Sequence, residues 1–71
     1  MTLRDAKEGK EYYVNALTTK DEELEAFLFS LGCYEHQPIR VIARIKGAFI
    51  VAIKQGRYSI DTRLASAISV Y

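Results

Sequence analysis

From Ile39 onward the chain alternates apolar and polar side chains, and glycines interrupt that alternation at short intervals. Ile39, Val41, Ala43 and Ile45 occupy one set of positions; Arg40, Ile42, Arg44 and Lys46 occupy the other. A period of two puts successive side chains on opposite faces of a pleated strand. Lys46-Gly47 is a tight-turn signal, after which Phe49, Val51 and Ile53 share a face. Gln55-Gly56 reads as a second tight turn, leading into a strand where Tyr58 and Ile60 share a face. The spacing therefore predicts a three-stranded meander fixed by two glycine turns.

The first half of the chain changes period. Leu24, Phe27, Leu28 and Leu31 recur at i, i+3, i+4 and i+7, one face of a helix over Lys20 to Leu31. Thr19 and Glu22 have the spacing of a capping box, and Asp21, Glu22 and Glu23 put negative charge at the positive end of the helix dipole. Gly32 is a natural stop, because it accepts left-handed backbone cheaply. Before the helix, Thr2 to Gly9 reads as a short turn with Leu3 and Ala6 as its apolar contacts, and Lys10 to Leu17 as a first strand. After the meander, Thr62 to Ser66 reads as one helical or 3-10 turn and Ala67 to Val70 as a last short strand.

The order is strand, helix, three strands, turn, strand. The expected fold class is mainly β with one α-helix inserted after the first strand. About five short strands in so small a domain predict a barrel, since closure removes exposed sheet edges. The helix would plug one open side. A chain of 71 residues makes one domain, residues 1–71, with no room for separate cofactor and substrate units. The apolar content of 49% with 27% charged residues is that of a globular chain. No segment approaches the ~18 consecutive apolar residues of a membrane span. Cys33 is the single cysteine, so no intrachain disulfide forms, and the cytoplasm is the expected compartment.

Charge is uneven although the net value is +1: residues 1–34 carry four basic and seven acidic side chains, residues 35–71 six and two. Such asymmetry bears on association and orientation. Arg40, Arg44 and Lys46 would share one strand face, with Lys54, Arg57 and a stackable Tyr58 nearby. Without an aromatic-rich basic stripe and with so low a net charge, this is a thin footprint for nucleic acid, which is not expected as a partner. Catalysis lacks its parts: one His and one Cys stand without an orienting group or an oxyanion site, so no enzyme activity and no cofactor are expected. Cys33, Glu35 and His36 would offer three weak metal ligands, short of the four that a structural site takes from separated segments.

Taken in order, these signals resemble the FeoA domain family. The residues that carry the resemblance are Thr2, Leu3, Asp5 and Gly9; the helix ending Leu24, Leu28, Leu31, Gly32; the strand positions Ile39, Val41 and Ala43; Ile50 to Lys54, Gly56, Tyr58 and Ile60; and Ala65, Ile68 and Val70 at the end. The resemblance covers nearly the whole chain. It implies an SH3-like barrel, an accessory role in ferrous iron transport, and docking on the cytoplasmic part of the GTP-dependent transporter FeoB. Weak self-association stays open, as does the alternative of a small nucleic-acid-binding or metal-sensing barrel. The loop Cys33 to Pro38 departs from the family pattern, and His36 stands where the family tends to have Gly, a position that asks for positive φ.

For partner binding, the sequence singles out Arg40, Ile42 and Arg44, expected on one side of the pleat, with Tyr34 and His36 in the neighbouring loop. Ile42 and Ile50 fall opposite the core residues Val41 and Val51. An apolar patch edged by arginines suits a protein partner.

Overall fold

Lys46 and Gly47 both adopt left-handed backbone, with φ of 41° and 79°, the combination a two-residue hairpin needs to match the twist of its strands. That turn joins β2 (Pro38–Ile45) to β3 (Ala48–Ile53). The computed structural model describes residues 1–71. The second hairpin, from β3 to β4 (Gly56–Asp61), turns one residue earlier than the sequence predicts. Lys54, with φ of 55°, takes the left-handed position, and Gly56 already pairs with Ile53. Gly56 is needed for space: a Cβ there would lie 2.4 Å from the Tyr58 hydroxyl.

β1 (Glu11–Leu17) precedes the helix α1 (Glu22–Leu31). A short α2 (Thr62–Ser66) and β5 (Ile68–Val70) follow β4. The cap of α1 is Asp21, whose carboxylate accepts from the amides of Glu23 (2.9 Å) and Leu24 (3.3 Å). Thr19 instead accepts from the Asp21 amide at 3.1 Å, so the expected capping box does not form. A carboxylate is the stronger acceptor and also complements the helix dipole. At the other end Gly32 has φ of 104°, and the Cys33 amide donates back to Leu28 at 3.1 Å, a Schellman closure.

The five strands form one antiparallel sheet in the order β4-β3-β2-β1-β5. A flat sheet of this width would hold its edge strands roughly 19 Å apart. The five residues of α2 advance only about 8 Å, yet they link edge strand β4 to edge strand β5. The sheet must therefore coil on itself, which is the barrel. At the N-terminus a 3-10 turn, Leu3–Asp5, packs on α2, and the Val70 amide donates to the Met1 carbonyl at 2.9 Å.

One core fills the coil: Tyr12, Val14, Ile39, Val41, Phe49, Val51, Ile53, Ile60, Ile68 and Val70 from the strands, closed by Leu3, Ala6 and Ala65. Helix α1 contributes one fully buried side chain, Leu28. Leu24 and Leu31 flank it half-buried, and Phe27, expected on the plugging face, is 46% exposed. The reason is rotation: with Leu28 centred on the barrel, Phe27 sits about 100° away around the helix.

Candidate functional site

The outer face of the β2–β3–β4 meander is built by a β-bulge. Val41 pairs with Val51, but the next pairing joins Ala43 to Ile50, leaving Ile42 without an opposite residue. A bulge sets two residues against one, so the alternation of β2 inverts beyond it. Ala43 and Ile45 then lie on the outer face beside Ile50 and Ala48, whereas Arg44 lies opposite Phe49 on the core side. The result is an outward strip of Ile42, Ala43, Ile45, Ala48, Ile50 and Ala52. Five of these are half-buried, and Ile45 is 57% exposed.

The expectation that Arg40, Ile42 and Arg44 share one side is thereby corrected. Arg40 keeps the outer position, in a row with Glu11, Ala52 and Arg57 across four strands, and reaches Glu11 at 3.8 Å. Arg44 turns over the barrel end. Its guanidinium donates to the Arg4 carbonyl at 3.1 Å and to the carbonyl of Ala6, with its centre 5.4 Å from the Phe49 ring centroid. Tyr58, read from sequence as a stacking ring, packs inward against the core instead. Arg40, Arg57 and the turn residue Lys46 remain as the exposed cations around the strip.

The loop after α1 is held against β1 by two main-chain bonds, Val14 amide to Gln37 carbonyl (2.9 Å) and His36 amide to Val14 carbonyl (2.6 Å). His36 adopts the positive φ its position asks for, 70°, and its Nδ1 lies 2.7 Å from the Tyr71 hydroxyl. Tyr34 is exposed and stacks on Phe29, ring centroids 5.9 Å apart. Cys33 points the other way, into the core, 1% exposed, and burial pushes its thiol up from 9.0 to about 11. It is a core side chain, not a thiolate. Glu35 and His36 stay outside, the Glu35 carboxylate 3.9 Å from His36 Nε2. The three weak metal candidates thus do not converge, and no group of three His, Cys, Asp or Glu side chains is placed to hold an ion.

Sequence reasoning placed Arg57 near this face but missed Ile45, Ala48 and Ala52 as members of it. A signal for two of them was present: Ala48 to Ile53 contains no polar residue, so both faces of that strand had to be apolar. Nothing in the residues themselves marks Ile42 as the bulge.

Comparison with known proteins places this geometry. The FeoA domain model matches residues 1–71. No curated protein matches the chain. Among solved structures, a manganese-dependent transcriptional repressor in complex with manganese is 26% identical, with a TM-score of 0.89 over 100% of this chain and 35% of that one. The chain thus spans about a third of that relative's length. FeoA of Stenotrophomonas maltophilia complexed with zinc, described as a prokaryotic SH3 domain protein, is 17% identical with a TM-score of 0.90, covering 100% and 89%. An iron uptake regulatory protein, also FeoA, is 21% identical with a TM-score of 0.87, covering 100% and 93%. The fold is the SH3-like one of these domains.

Proposed function

This chain belongs to the FeoA domain family, and on that premise we propose that it is a non-catalytic, cytoplasmic accessory protein of ferrous iron transport. It acts by docking on the cytoplasmic part of a FeoB-like transporter and modulating it. The observation that carries this reading is the meander's outer face. A strip of half-buried isoleucines and alanines, ringed by Arg40, Lys46 and Arg57, has the composition of an interface core with a charged rim. The cations would steer an acidic partner surface, and the strip would exclude water once it is seated. The zinc-complexed relative, described as a candidate ferrous iron transport activating factor, supports the same role.

The test is co-purification. The tagged chain is mixed with the cytoplasmic part of a FeoB-like transporter, with and without guanine nucleotide. Co-elution in at least one nucleotide state is expected, and failure in both contradicts the reading. A second reading, a metal-responsive module, draws on the shared fold with the manganese-dependent repressor. It would require a tight one-to-one metal complex on titration calorimetry of the reduced protein.

A further inference from the structure

Between β1 and the C-terminal end of α1 lies a cleft of about 290 Å3. Val14, Ala16, Leu17, Phe29 and Cys33 supply its apolar lining, and Glu35 stands in its wall. It exists because α1 meets the barrel along the side of Leu28 and the half-buried Leu24 and Leu31, so the exposed Phe29 side of the helix stands off the strand. Val14 and Cys33 are buried and form the floor, whereas Phe29 is 40% exposed. The Phe29 ring is held in place by its stack on Tyr34. Glu25 and Glu22 lie one and two turns before Phe29 on the same side of the helix. Glu35 is largely exposed, its carboxylate 3.9 Å from His36 Nε2.

We propose that this cleft receives an apolar side chain of an extended, basic peptide segment, with the flanking lysines or arginines meeting Glu35, Glu25 and Glu22. Glu35, Glu25 and Glu22 outnumber the ammonium of Lys54, which sits 4.9 Å from the Tyr34 ring centroid, and this acidic balance selects the occupant. A small-molecule site would present several convergent polar groups, but here only Asn15 and Glu35 are polar. A second copy of this chain would bring its basic meander face, whose residues are held in paired strands and not in a free extended segment that could enter a cleft. Cytoplasmic flanks of membrane spans carry an excess of Lys and Arg. Identifying the segment with the transporter's own membrane-flanking chain rests on the docking reading above.

The probe is a synthetic peptide with one leucine flanked by lysines, titrated into isotope-labelled chain and followed by amide chemical shifts. Shifts are expected around Ala16, Phe29 and Glu35. Affinity should fall about tenfold in Glu35→Lys and in Phe29→Ala, both exposed positions whose remaining spectrum reports an intact fold. Replacing the peptide's leucine by alanine should weaken binding similarly. Equal binding of a glutamate-for-lysine peptide would overturn the proposal, as would shifts centred on Ile45 and Ile50. The same shifts on concentrating the chain alone would make a second copy the occupant and overturn it too. In a parallel arm, transporter binding by Glu35→Lys at wild-type strength would remove the membrane-flanking segment as occupant and leave docking intact. Loss of binding by the wild-type chain itself would instead count against the docking reading.

Discussion

Arg44 carries a structural load that its neighbour Arg40 does not. Its guanidinium ties the main chain of Arg4 and Ala6 to the open end of the meander, while Arg40 makes one exposed ion pair with Glu11. Hydrogen bonds to a charged group contribute about 1.5–3 kcal/mol, and exposed pairs about 0–1 kcal/mol. Arg44→Ala should therefore lower the denaturant midpoint clearly, and Arg40→Ala should leave it nearly unchanged. Cys33 gives a second residue-level outcome. Its thiol is raised from 9.0 to about 11 by burial, so the folded state holds its proton where the unfolded chain has released it. Its contribution is fully present below pH 9 and is lost as pH rises through about 11. Unfolding free energies of the wild type and Cys33→Ala should differ by a constant at neutral pH. The wild type should then lose about 2–3 kcal/mol more across that alkaline window. The alternation that marks Arg40 and Arg44 was legible in the residues. The inversion between them was not, because a bulge depends on pairing with β3 and leaves no mark within β2.

At the level of elements, the helix was legible in kind and at its end, because its period and its closing glycine are local signals, while its start lies at Glu22, two residues beyond the expected Lys20. Which of its apolar residues meets the barrel was not local. Leu24, Phe27, Leu28 and Leu31 share one broad face of the helical wheel, and only docking on the coiled sheet centres that face on Leu28 and leaves Phe27 outside. Leu28→Ala should cost about 2–5 kcal/mol, and Phe27→Ala less than about 0.5 kcal/mol, measured by chemical denaturation. Equal losses at the two sites would mean that the helix presents a different face. The two hairpins repeat the lesson. Lys46-Gly47 closes where the sequence places it, whereas at the second turn Gly56 is kept for the Tyr58 ring and Lys54 bears the left-handed backbone.

For the whole molecule, the sheet coils because α2 is too short to join the edges of a flat one. The same coil separates the chain's charges: acidic side chains gather on α1, and cations surround the outer face of the meander. The five-strand order was legible because each strand is bounded by a turn or a helix with its own signal. The candidate face was legible only in part. Arg40, Ile42, Ile50 and the nearby Arg57 were visible, whereas Ile45, Ala48 and Ala52 joined them through pairing across strands. The most direct measurement of the docking claim is a binding titration of the transporter's cytoplasmic part against the wild type and Arg40→Glu/Ile45→Glu. Both substituted positions are exposed, so the fold is kept. The double variant should bind at least about tenfold more weakly, with a smaller dependence on salt than the wild type shows. Wild-type affinity in the double variant, at low and at physiological salt, would contradict the account.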